Sequence, residues 1–387
     1  MADVRPFRGV RYAAAGLGAA LCPPYDVISP ELAKSLRRRA RNAVSLELPQ
    51  GEGAARCARA STLWRRWRGD GTLILDPVPA FYVVEERYRL HGRARLRRGF
   101  LAALGASSAA ARAIVPHERT LSKPKVDRLR MLNALRVNVS PIFGVFADAT
   151  GGVRRALAAA ARARPVARGK SHAGVGYRLW RVSDPRLVSA LRRAMAPRSI
   201  LIADGHHRYE VSRIHHRRTR LPGSDAVLAY LVPDEDAGLA VLPTHRIAAR
   251  SLLARAGELA SLKKFPSLRA LEKALARSEN PYAFGLVEKG FHLGVPASAG
   301  GCRSGLAVEW LGGRLLAGLR PEEMSYTHDA VLAGRKARSA RGAAVLVKPF
   351  TVAQVRLAAK AVGLLPQKST YFFPKIATGL VFRPLAP

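Results

Sequence analysis

Residues 200–218 constrain the fold of this chain more than any other stretch. Ile200, Leu201, Ile202 and Ala203 form a short apolar run of the kind a buried strand uses. Asp204 and Gly205 end that run, and Val211 to Arg218 can continue as a helix. A strand that turns through glycine into a helix belongs to an α/β layer, and backbone N–H groups gather there to receive an anion. Gly205 permits a tight turn or a close approach to a ligand. The same few positions carry chemistry. Arg208 can grip a phosphate through two parallel hydrogen bonds. His206 and His207 can move a proton near neutral pH or ligate a metal. The bland alternative is that Asp204 caps the helix and the other polar side chains are solvated.

Other polar clusters give weight to the chemical reading. Pro23 and Pro24 force an extended backbone, and Tyr25 and Asp26 follow in a rigid loop. Ser29, Pro30 and Glu31 spell a helix start. His117, Glu118, Arg119 and Thr120, then Lys123, Asp127 and Arg128, make an acid–base and phosphate constellation at a loop–helix entry. Its alternative is a well-capped helix with a charged, solvated face. Thr244, His245 and Arg246 follow an apolar strand, a site-like position in an α/β fold. Near the end stand Lys368, Ser369 and Thr370, in a tail too polar and aromatic to fray.

The segments between these clusters set the expected architecture. Residues 81–90 and 94–104 alternate charged and apolar residues around His91-Gly92, which predicts a hairpin with one wet face. Val44 to Leu48 reads as a strand, Ala54 to Arg68 and Pro185 to Met195 as helices. Residues 251–278 read as two helices broken near Phe265-Pro266. Residues 282–318 read as short strands and glycine turns, and Tyr326 to Asp329 as the opening of a short helix. The expected fold is therefore α/β, a mixed sheet with helices, with a smaller β-rich lobe in the C-terminal half. No internal repeat or linker marks a sharp boundary. The expected organisation is one unit over 1–387, with lobes at 1–150, 151–250 and 251–387, the last returning to the core.

Composition removes several function classes. A hydrophobic fraction of 48% excludes a disordered tail protein. Cys22, Cys57 and Cys302 are too far apart for a disulfide framework or a zinc site, and a reducing cytoplasm is the expected compartment. The apolar run at 13–21 is too weak for a signal peptide, and no run reaches the length of a membrane span. Neither zinc, haem nor flavin is indicated. The 65 Lys+Arg against 27 Asp+Glu, a net charge of +38, must attract polyanions, so nonspecific nucleic-acid binding is expected from charge alone. The arginines are spread over the whole length among alanines, which looks as much like compositional bias as like a binding stripe.

Taken together, these clusters resemble the domain of unknown function 1015 family. The matching pieces are residues 23–28, His117 to Thr120 with Lys123 and Asp127-Arg128, Ala203 to Tyr209, Thr244 to Arg246, His328-Asp329, and Lys368 to Thr370 with Pro374-Lys375. Gln367 stands where the family usually has proline. The Asp-Gly-His-His-Arg box in turn looks like the phosphate box of the ParB/sulfiredoxin superfamily, whose members include partition proteins, sulfiredoxins and free-serine kinases. That resemblance implies a phosphate-bearing ligand without fixing a reaction. With it, the leading reading is a protein that binds a nucleotide or phosphorylated metabolite and acts in phosphoryl transfer or phosphate-ester hydrolysis. His206, His207, His117, Glu118 and Asp204 would be catalytic. Gly205, Arg208, Arg119, Lys123, Thr244, His245, Arg246, Tyr25, Asp26 and Lys368 would hold substrate, and Mg²⁺ would accompany the phosphate donor. The alternative is a ParB-like, nucleotide-switched nucleic-acid binder. It lacks an evident helix-turn-helix. A metal hydrolase ranks last, because no HxxxH pair occurs.

Overall fold

Nine strands of one mixed sheet form the centre of the first of two units. A computed structural model describes residues 1–118 and 122–386, with the backbone alone at 122–124. The first unit comprises Met1–Val115, Thr120–Leu239 and Pro374–Pro387; the second comprises Pro116–Arg119 and Ala240–Phe373.

In the first unit the strands run in the order Ile114–Val115, Ile200–Asp204, Ile142–Phe146, Ala226–Pro233, Arg93–Gly105, Phe81–Leu90, Gly176–Val182 and Ala167–Lys170, with Val4–Arg5 also beside Arg93–Gly105. Ile200–Asp204 pairs parallel to Ile114–Val115 and Ala226–Pro233 pairs parallel to Ile142–Phe146; the other pairings are antiparallel. The expected hairpin forms, turning through His91 and Gly92 in left-handed backbone. One sheet face packs Phe81, Phe100, Ile142 and Ile202 against Leu157, Leu191 and Met195 of the helices Gly152–Ala160 and Pro185–Met195. Alternation along the strands turns Glu86, Arg97, Phe143 and Tyr230 to the opposite side. There the fully buried Arg97 meets Glu86 twice, at 2.6 and 2.8 Å, lies over the Phe143 ring and donates to the Pro374 carbonyl at 2.6 Å. The helices Ser122–Leu135 and His206–Thr219 belong to this unit, with Leu132, Val211 and Leu385 packed together.

The second unit is built on an antiparallel six-stranded sheet ordered Ala260–Phe265, Phe291–Pro296, Phe284–Val287, Ala343–Leu346, His245–Ala248 and Met324–Thr327. Both faces are covered. Leu252, Ala256, Trp310 and Leu311 pack on one, and Leu271, Leu275, Ala333 and Ala337 on the other. The expected smaller, strand-rich lobe of the C-terminal half is present.

Four local expectations are corrected. Val44 to Glu47 is a short helix, held by Asn42, whose amide donates to the Ala19 and Leu21 carbonyls and whose Oδ1 accepts from Val44 N. Residues 251–278 hold a strand, Ala260–Phe265, between the helices Leu253–Leu259 and Leu268–Arg277. Its ladder to Phe291–Pro296 overrides helical spacing. Met324–Thr327 is an edge strand, and Asp329 caps the following helix Ala330–Ser339 by accepting from Leu332 N at 2.8 Å. Between 282 and 318 the expected strands are joined by a helix, Ala307–Gly313.

Candidate functional site

The chemistry-bearing residues gather in two clusters, one in each unit. In the first unit, Ile200–Asp204 enters the sheet and Gly205 turns the chain at φ 89° into the helix His206–Thr219. A β-carbon at Gly205 would lie 3.1 Å from the Arg208 guanidinium, so the turn needs glycine for both conformation and space. Asp204 is not the helix cap. Its Oδ2 accepts from Arg208 Nη2 at 2.6 Å and its Oδ1 from Lys375 Nζ at 2.8 Å. Lys375 also donates to Asp26 Oδ2, and Arg208 Nη1 donates to the Pro141 carbonyl. Two carboxylates thus face two cations.

Burial alone would raise the Asp204 pKa, but Lys375 and Arg208 hold it well below the ordinary carboxylate value. Burial likewise works against the charge on Lys375, and Asp204 and Asp26 reverse that and hold it above its usual value. Asp204 is therefore ionised throughout the neutral range, which suits charge placement rather than proton transfer. Beside this group the buried Glu47 accepts from Tyr25 N at 3.1 Å and from Ser140 Oγ at 3.0 Å, and the Arg128 guanidinium lies 4.3 Å from the Tyr25 ring centre. Glu47, Arg128, Ser140 and Arg208 line a cavity of about 60 Å³. That volume admits a few waters and is far below the ~300 Å³ of a small-molecule pocket.

In the second unit, His117 is fully buried, and its Nε2 lies 3.0 Å from Thr370 Oγ1. Leu365 N donates to the His117 carbonyl, and Glu118 bridges Leu365. Arg246, on the strand His245–Ala248, is 3% exposed. It donates to the Thr244 carbonyl and, at 3.4 Å, to the Lys368 carbonyl. Lys368 takes left-handed backbone, φ 57°, in the loop that makes this contact. Among the described residues no carboxylate forms an ion pair with Arg246. Burial pushes its pKa down to about 10, while Tyr326 and then Glu118 act the other way. Thr244 Oγ1 is buried with no hydrogen-bond partner among the described residues. His245 accepts from Val347 N through Nδ1 at 3.3 Å, and burial, then Arg246 and His328, push its pKa down to about 4.

Sequence-distant segments therefore meet. Tyr25, Asp26, Asp204, Gly205 and Arg208 are placed in the first unit. His117, Glu118, Thr244, His245, Arg246 and Lys368 are placed in the second. His206 is nearly buried and His207 half-buried at the first turn of the helix after Gly205. Arg119 and the side chain of Lys123 lie outside the described residues. Sequence reasoning passed over Glu47, Lys375 and Thr370 as site residues. The family-like Pro374-Lys375 and Lys368-Ser369-Thr370 pieces were the available signal for the last two. Glu47 gave none, since its window reads as a strand.

The expected Mg²⁺ does not fit the carboxylates of the first cluster. Such an ion takes one or two carboxylates with water and phosphate oxygens. Here the ammonium of Lys375 already bridges Asp26 and Asp204, and among the described residues no three His, Cys, Asp or Glu side chains converge.

The family model described as "Protein of unknown function (DUF1015)" matches residues 4–304. The chain belongs to this family. No curated protein matches. Among solved structures, this DUF1015 protein is similar to a conserved hypothetical protein from Pyrococcus furiosus (12% identity, 72% of this chain and 92% of that one, TM-score 0.37). It is similar to a free serine kinase in complex with AMP (14%, 71% and 86%, TM-score 0.37). It is also similar to SbnI with a C-terminal truncation from Staphylococcus aureus (10%, 74% and 88%, TM-score 0.37). At such scores the likeness is distant, and what those proteins bind is a property of those proteins. Among the described residues of the DUF1015 protein no helix is long and apolar enough to cross a membrane.

Proposed function

We propose that this protein binds a phosphorylated metabolite or nucleotide and acts in phosphoryl transfer or phosphate-ester hydrolysis, with the phosphate seated at Arg246. The observation that carries this reading is charge balance. In the first cluster Arg208 and Lys375 are matched by Asp204 and Asp26, which leaves no charge for an anion to satisfy. Arg246 is as deeply buried, but among the described residues its guanidinium donates only to carbonyl oxygens, beside a Thr244 hydroxyl with no partner among them. A buried guanidinium without a carboxylate is costly unless an anion completes it. A planar fork and a hydroxyl suit the oxygens of a phosphate. The His117–Thr370 pair, in the same unit, supports a proton-transfer role. Asp204, ionised and fixed, supports the turn at Gly205 as a positioning residue. An overall ParB/sulfiredoxin-like arrangement belongs to the same reading.

The test is a thermal-shift series with pyrophosphate, phosphoserine, AMP and ATP, each with and without Mg²⁺. A compound that binds only the folded state raises Tm, and saturation at about 100-fold over Kd adds about 2.7 kcal/mol of stability. The expected result is a shift for a subset of these compounds that disappears in Arg246→Met and weakens in Arg246→Lys. Equal shifts from every polyanion, unchanged in both variants, would sink the reading.

A further inference from the structure

Lys375 points to how the first cluster works without a metal. We propose that its ammonium is the resident cation of the Asp26–Asp204 pair, filling the seat that a divalent ion would otherwise take, so that this cluster recruits no Mg²⁺ of its own. Three observations lead there. First, Nζ touches one oxygen of each carboxylate, 2.8 Å from Asp204 Oδ1 and in direct contact with Asp26 Oδ2, as a bridging cation does. Two carboxylates are what a protein usually lends Mg²⁺, so the pair without Lys375 would be a metal half-site.

Second, the ammonium is delivered by a fixed tether rather than by a swinging surface side chain. On one side the Pro374 carbonyl accepts from the fully buried Arg97 at 2.6 Å. On the other, Thr378 exchanges two backbone hydrogen bonds with Cys22, Phe382 exchanges two with Val10, and Arg383 donates to Asn138 Oδ1. Third, charge closes only with the ammonium present. Asp26 and Asp204 balance Lys375 and Arg208; a divalent ion added to the same four groups would leave an excess of two positive charges beside the buried Arg208.

Mn²⁺, visible by electron paramagnetic resonance, replaces Mg²⁺ in the experiment, which uses the full chain with no phosphate compound present. The outcome is thus independent of the Arg246 reading. The expected result is no stoichiometric Mn²⁺ on the wild type, no difference between wild type and Asp26→Asn, and one saturable Mn²⁺ per chain in Lys375→Met. That gained site should be lost again when Asp204→Asn is added. Lys375→Arg, which keeps the cation, should bind none. A wild-type site that Asp26→Asn abolishes would overturn the proposal without any Lys375 variant having to fold. So would a folded Lys375→Met chain that binds no metal.

Discussion

At His245 and Arg246, adjacent side chains receive opposite treatment from the same burial. Burial disfavours the charged form of each, but the imidazole can shed its proton near neutral pH and the guanidinium cannot. The result is a neutral His245 that accepts a backbone N–H and an Arg246 that keeps its charge. A pH dependence follows. His245 titrates at about 4 in the folded chain and at ~6.5 when unfolded, so the unfolded state binds more protons between those values. Its contribution is complete above pH ~6.5 and falls away as pH drops toward 4, by about 3 kcal/mol in all. Denaturant melts at stepped pH should show that slope in the wild type and its loss in His245→Gln. A difference between the two proteins that stays constant from pH 7 to 4 would contradict it. At this scale much of the candidate site was legible, because Asp204, Arg208, His117 and Arg246 announce themselves by type and company. Glu47 did not, because a buried acid inside an apolar run looks like a strand residue until its partners Tyr25 and Ser140 are known.

The strand–turn–helix element depends on one backbone angle. Gly205 at φ 89° aims the helix start and leaves room for Arg208 to fold back onto Asp204. Gly205→Ala should cost about 1–3 kcal/mol in chemical denaturation, from left-handed strain and the crowded guanidinium. Gly152→Ala, at the start of another helix with no close neighbour except Thr150 Oγ1 at 3.6 Å, should stay within about 1 kcal/mol of wild type. Equal effects would mean that the Gly205 conformation is not what the element requires. Elements marked by local chemistry were readable before the structure. Ser29 accepts from Leu32 N as the sequence suggested, and Pro185–Met195 begins behind Asp184 and at a proline. Ala260–Phe265 was not, because its extended form comes from a partner strand about thirty residues away, and no window of sequence contains that partner.

Across the whole molecule, a net charge of +38 will attract any polyanion, and that attraction must be separated from a site. Binding of a random DNA duplex should weaken steeply with added salt and be indifferent to Arg246→Met, because counterion release follows total phosphate contact and not one buried side chain. If that variant abolished DNA binding and phosphate shifts together, Arg246 would belong to a nucleic-acid surface instead. The sequence by itself determined the α/β class, the strand–glycine–helix box and most of the residue types at the two clusters, since these follow from short-range periodicity, turn chemistry and side-chain character. Only the tertiary structure decided which residues neutralise one another. It returned Pro374–Pro387 to the first unit, where Lys375 meets Asp26 and Asp204, and it drew Pro116–Arg119 into the second with Thr370 and Arg246. Charge pairing acts through space over a few ångströms, and the groups it joins here are separated by up to some 350 positions along the chain.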